Sequence, residues 1–124
     1  MMTALKLPAV GIAAAIWFLS SQSILPKPKG IFGFDKVQHS IAYMALACMV
    51  GLWPSQKQWK TRGFLTLLAV IGIASAYGII DEIHQSFVPG RDCSVWDWLA
   101  DTIGAILGAA LMLLINRRRS SNEA

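Results

Sequence analysis

The chain has 124 residues, of which 55% are hydrophobic and only 15% charged. Such a composition excludes disorder, which requires low hydrophobicity and high charge. Two cysteines exclude a disulfide scaffold, and a net charge of +4 identifies a nucleic-acid-binding protein only if the basic residues cluster on a soluble face.

The charges avoid four stretches: 4–20, 37–53, 63–80 and 95–115. Of all the Asp, Glu, Lys and Arg residues, only Lys6, Asp97 and Asp101 fall inside them. A helix needs roughly 17–25 apolar residues to cross a bilayer, and each stretch has that length. A soluble bundle would place polar residues on one face of every helix. The run GFLTLLAVIGIASAYGII at 63–80 has no such face. Hydrocarbon cannot satisfy an unpaired backbone group, so spanning segments of this kind are helices. The expected fold is therefore all-α, a four-helix transmembrane bundle forming one domain over 1–124, with no nucleic-acid partner.

The first stretch is expected to be an uncleaved span. Ser20-Ser21-Gln22-Ser23 lacks the small-residue pattern of a signal-peptide cleavage site. The connector 21–36 carries Pro26, Lys27, Pro28, Lys29, Gly30 and Gly33. Pro54 closes the second span, and residues 54–62 read as a loop. After the third span, DEIHQSF is expected to stay helical until the turn at Pro89-Gly90. Cys48 lies deep in the second span and Cys93 in a loop at the other end of the third connector, so no disulfide is expected. Four spans put both termini on one side. That side carries Lys6, Lys57, Lys60, Arg62 and Arg117 to Arg119, against Lys27, Lys29, Lys36 and Arg91 on the other. The positive-inside rule then places the N- and C-termini in the cytoplasm.

The same connectivity gathers the polar residues. Ser20 to Ser23, Asp35, Lys36, His39, Asp81, Glu82, His84, Gln85, Arg91, Asp97 and Asp101 all fall near one membrane face. Asp97, Asp101, Gly104 and Gly108 are spaced 4, 3 and 4, which puts two carboxylates and a G-x-x-x-G surface on one side of the fourth helix. Charged residues in spans face the bundle interior or water, so this side is expected to face inward. Asp35, His39 and Tyr43 form a second stripe at i, i+4, i+8, and Ser75, Gly78 and Glu82 a third, with Asp81 and Gln85 beside it. Taken singly, each has a structural reading: Asp97 as a helix-start residue, His39 as a hydrogen-bonded interfacial side chain, Arg91 as a loop charge. Together they read equally as a salt-bridge cluster, with Arg91 or Lys36 on Asp97 or Glu82, and as a chemical site.

These residues carry a resemblance. DKVQHSIAYMAL at 35–46 resembles the first signature of the VanZ-like membrane proteins, with its Asp, Lys, His and Tyr. DEIHQSFVPGRDCSVWDWLADTIGAILG at 81–108 resembles their second, and FLSSQS at 18–23 is similar to the end of their first helix. The resemblance implies a multi-pass protein of the bacterial plasma (inner) membrane with a cell-envelope role; the family's namesake is linked with resistance to teicoplanin-type glycopeptides. It carries over Asp35, Lys36 and His39 from the first motif and Asp81, Glu82, Gln85, Arg91 and Asp97 from the second. Asp101 stands where the family often has Asn.

Three functions follow as expectations. The first is a site for a lipid-linked or glycopeptide partner at the outer mouth, such as a polyprenyl phosphate or an anionic lipid. Trp96 and Trp98 would flank it at interfacial height, and Arg91 with Lys36 would grip a headgroup phosphate. The second is an enzyme acting on a lipid-linked phosphate or pyrophosphate. His39 would be its acid or base, oriented by Asp35, Arg91 would stabilise phosphoryl charge, and Asp81, Glu82 and Asp97 would hold Mg²⁺. No cofactor is firmly implied, since neither a phosphate loop nor a zinc-protease motif occurs. The third, ranked last, is a proton-linked transporter using Asp101 and His39, because no acid lies deep in the inner half of any span. Gly72, Gly78, Gly104 and Gly108 would serve packing within one chain or in an oligomer.

Overall fold

The computed structural model describes residues 4–22, 34–91 and 93–123, and these form a helical bundle. Its helices are α1 (Leu7–Ser20), α2 (Phe34–Val50), α3 (Gln56–Thr61), α4 (Gly63–Gln85) and α5 (Val95–Asn122). The all-α expectation holds, and the four charge-poor stretches correspond to α1, α2, α4 and α5. The Lys-Pro connector at 23–33 lies outside the described residues.

The boundaries differ from the sequence reading in physical detail. α2 starts at Phe34 and stops at Val50, three residues before Trp53, in a turn that precedes Pro54. The expected loop at 54–62 contains α3. Ser55 accepts from the Gln58 backbone N–H at 3.2 Å, and the Gln58 side chain accepts from the Ser55 N–H at 2.8 Å. This reciprocal pair is a capping box and starts a helix even in a short connector. α3 is fastened by Trp59, which is buried and donates its indole N–H to the Gly51 carbonyl. α4 ends at Gln85 rather than running through Phe87, because the chain turns toward Gly90, whose φ of 81° belongs to the left-handed region.

α4 and α5 are each long and apolar enough to cross a membrane; α1 and α2, at 14 and 17 residues, are shorter. A core helix of a soluble protein is mostly buried, whereas only 17% of the apolar window of α4 is. Phe64, Leu65, Ile80, Ile83, Ile103 and Leu107 all point outward and are more than half exposed. Such an apolar coat is the surface a bilayer solvates and water does not. It fits a membrane protein.

The core is small-residue packing. α2 and α5 form the most extensive helix pair, followed by α4 and α5. Ala47, Ala74, Ala105 and Ala109 are fully buried along these seams. A Cβ at Gly104 would collide with the Ser40 backbone carbonyl, and one at Gly108 with that of Met44. The i, i+4 glycine pair on α5 thus lets the α2 backbone lie directly against it. Gly72 has open space around it and plays no part in this packing.

A contrast follows. Gly104→Ala must push backbone against backbone and lowers stability by about 1–3 kcal/mol. Gly72→Ala removes only helical flexibility and raises it by about 0.5–1 kcal/mol. Thermal unfolding of the two detergent-purified variants, side by side with the parent, reads both signs.

Candidate functional site

The end of α1, the start of α2, the end of α4 and the start of α5 meet at one end of the bundle. The polar residues expected at a common mouth are brought together there. Two chains of contacts run through it, one around α5 and one around α4.

Around α5, Lys36 sits between two acids, with its Nζ 2.7 Å from Asp35 Oδ2 and 2.6 Å from Asp97 Oδ1. The Lys36 ammonium holds the Asp35 carboxyl below its ordinary range, and Asp35 and Asp97 hold Lys36 above its own. Both groups are therefore charged at neutral pH. Asp97 lies in the first turn of α5, where the helix dipole also favours a negative charge. Deeper, His39 Nδ1 is 2.7 Å from Asp101 Oδ1, and His39 Nε2 is 4.0 Å from Asp97 Oδ2. Asp101 is completely buried. Its other oxygen, Oδ2, has no hydrogen-bond partner and packs toward Gly78, where a Cβ would approach it to 3.1 Å.

Around α4, Asp81 Oδ2 accepts from Ser20 Oγ at 2.8 Å and from Gln85 Nε2 at 3.0 Å. Glu82 Oε2 accepts the Ser94 backbone N–H at 3.0 Å and so serves the N-terminus of α5 from a neighbouring helix. Glu82 Oε1 is buried without a partner. Arg91 donates from Nε to the Gln22 carbonyl and from Nη2 to the Leu19 carbonyl, both at 2.8 Å. Those carbonyls lie at the end of α1, where that of Leu19 also accepts the Gln22 N–H at 3.2 Å in the closing turn.

Four expectations are corrected by this geometry. Asp35 does not orient His39; it is spent on Lys36, and Asp101 takes that role. Of the ion pairs considered, Lys36 with Asp97 forms, whereas Arg91 is engaged by backbone carbonyls and Glu82 by a backbone N–H. Asp81, Glu82 and Asp97 do not assemble as a ligand set, since Asp81 and Asp97 are each held by other partners. Among the described residues, the imidazole and carboxylates that come within 4.8 Å of one another are those of His39, Glu82 and Asp101. Trp98 does not flank the mouth but donates its indole N–H to the Ser75 carbonyl, while Trp96 is exposed. His84 lies on the outer seam, stacked on Trp17 at 3.8 Å with Ser21 Oγ 2.9 Å from its Nε2.

A cavity of about 570 Å³ opens between these chains. Asp35, Lys36, His39, Asp81, Gln85 and Arg91 supply its polar wall, and Ile16, Leu19, Ala42 and Tyr43 its apolar one. The sequence reading missed Tyr43 as a floor residue whose buried hydroxyl has no partner. Its place at i+4 from His39 was the available signal. It also missed Tyr77, which donates to the Ala13 carbonyl of α1 at 2.6 Å; nothing in the spacing marks that contact.

The buried pair makes a quantitative prediction. His39→Ala strands Asp101 in the interior and costs about 3–5 kcal/mol. Because the two side chains act as one unit, His39→Ala and Asp101→Ala are non-additive by about 0.5–3 kcal/mol in a double-mutant cycle of chemical unfolding.

Neither a curated protein nor a solved structure matches the chain. The family model described as VanZ/LLP1 does match, over residues 5–116, which takes in α1, α2, α3 and α4, most of α5 and every residue of the mouth. The chain belongs to the VanZ/LLP1 family.

Proposed function

We propose that this protein holds a lipid-linked anionic partner at the mouth of its bundle, in a cell-envelope role. The observation that carries this reading is the position of Lys36. It lines the polar cavity, and it also lines an apolar groove of about 680 Å³ on the outer surface of α2 and α5. Val37, Ile41, Trp96, Leu99 and Ile103 form that groove. A single cation at the junction of a polar chamber and an apolar groove suits an amphiphile, with its phosphate at Lys36 and its hydrocarbon along α2 and α5. Lys is a compact point charge on a flexible stem and can leave Asp35 for a phosphate oxygen without moving the helix. The guanidinium of Arg91, anchored to α1, adds positive charge at the opposite wall.

Four spans in the bacterial inner membrane, with both termini cytoplasmic, place the mouth at the outer leaflet. The excess of Lys and Arg near α3 and at 117–119 supports that orientation. Cys93 is exposed beside the mouth and Cys48 is half-buried in the bundle. A membrane-impermeant maleimide is therefore expected to label Cys93 in intact spheroplasts. Labelling only after lysis reverses the orientation.

The lipid itself is tested by native mass spectrometry of detergent-purified protein. Wild type is expected to retain a polyprenyl phosphate or another anionic lipid, and Lys36→Gln with Arg91→Gln to lose it. Equal retention by a stably folded variant overturns the reading. A second reading, hydrolysis of a lipid-linked phosphate or pyrophosphate, is favoured by the contact of His39 with Asp101, an acid–base group and the carboxylate that orients it. Phosphate release by the same preparation supplied with prenyl pyrophosphate and Mg²⁺ or Mn²⁺ would support it.

A further inference from the structure

We infer that His39, Glu82 and Asp101 form a binding site for one divalent transition-metal ion beneath the cavity. It stands independently of the lipid reading. Three observations meet at this point.

The first is composition and convergence. One imidazole and two carboxylates, from three different helices, place their ligand atoms within 4.8 Å of one another. Helices α2, α4 and α5 are rigid elements, so no loop has to close to bring the donors together. The second is orphaned polarity. Glu82 and Asp101 are 4% and 0% exposed, and each has one oxygen with no hydrogen-bond partner. A buried oxygen without a donor loses the stabilisation water gave it, and native interiors contain few of them. A metal ion bound by both carboxylates supplies the electrophile that these two side chains lack.

The third is charge. Lys36 is committed to Asp35 and Asp97 higher in the mouth, and Arg91 to α1 carbonyls. Among the described residues, no salt bridge to Lys or Arg reaches Glu82 or Asp101, and their only nearby cationic candidate is His39 itself. Two neighbouring carboxylates in an apolar interior repel one another, and a divalent cation cancels that repulsion as no imidazole alone can. Of the other carboxylates of the mouth, Asp35 and Asp97 share Lys36, and Asp81, though one of its oxygens is also without a partner, stands outside the group of converging ligand atoms.

The donor set selects the metal. An imidazole with two carboxylates suits Zn²⁺, Mn²⁺ or Fe²⁺, whereas Mg²⁺ prefers an all-oxygen octahedron with several waters. On binding, His39 ligates as the neutral imidazole and both carboxylates as anions, with any proton beyond these released to solvent. His39 lines the cavity, which gives the ion a route from the mouth.

The test uses the full chain purified in detergent and stripped with EDTA. Titration with Zn²⁺, followed by elemental analysis and thermal unfolding, is expected to show one ion per chain and a raised Tm. Mg²⁺ at the same concentration is expected to give neither. Glu82→Gln, which keeps the shape of the side chain, is expected to weaken Zn²⁺ binding at least about 10-fold. Cys93→Ser, which removes the exposed thiol, leaves it unchanged. X-ray absorption at the zinc edge of wild type needs no variant at all: a shell of nitrogen and oxygen supports the site, and a sulfur shell overturns it. The absence of a stoichiometric ion, or unchanged affinity in both Glu82→Gln and His39→Gln, overturns it equally.

Discussion

Two absent side chains set the geometry on which the mouth depends. Gly104 and Gly108 have no Cβ, so the Ser40 and Met44 carbonyls of α2 lie directly against the α5 backbone. Only at that separation can His39, one residue before Ser40, reach Asp101, three residues before Gly104. The close approach also lets Ser40 Oγ donate to the Ala100 carbonyl and Cys48 Sγ to that of Gly108. Packing and polar chemistry on this seam are one arrangement. In lipid, where burial of apolar surface no longer drives helices together, such contacts are what hold them.

The polar residues are not a diffuse cluster. Lys36 bridges two acids at the rim, His39 meets Asp101 below, Asp81 is held by Ser20 and Gln85, and Glu82 serves Ser94. Asp35 and Asp97 share one cation, whereas Asp81, Glu82 and Asp101 each have partners of their own. Buried oxygens without partners belong to Asp81, Glu82 and Asp101, together with the Tyr43 hydroxyl. Each of these oxygens carries a desolvation cost that a purely structural cluster would leave unmet.

The helical architecture and the location of the mouth were legible because they rest on periodicity and connectivity. Charge-poor runs gave the helices, and the alternation of four such runs put Ser20, Asp35, Glu82 and Asp97 at one end. The spacing of Asp97, Asp101, Gly104 and Gly108 correctly read as one buried face. Pairing was not legible, because it depends on the rotation and depth of one helix against another. His39 is one turn from Asp35 in sequence, yet its partner is Asp101, which faces it across a separation that glycines set. Arg91 looked available for a ligand because backbone carbonyls at a helix end leave no mark in a sequence. The capping box of Ser55 and Gln58 is a signal that the sequence carries inside the connector 54–62, which the Pro54 punctuation marks as a loop.

α1 joins the bundle through a narrow apolar face, with Ile12 and Ala13 packed on the core, and through polar contacts. Of its residues, only Ala9, Ile16 and Ser20 are buried. Ser20 bonds Asp81, Ser21 faces His84, Arg91 holds the carbonyls of Leu19 and Gln22, and Tyr77 holds that of Ala13. Two of those four ties lie at the mouth and one on the seam beside it, and Ile16, Leu19 and Ser20 line the cavity. A molecule entering the cavity therefore meets the groups that fasten α1. It either adds to them, and tightens the helix against α4, or competes for them, and loosens it.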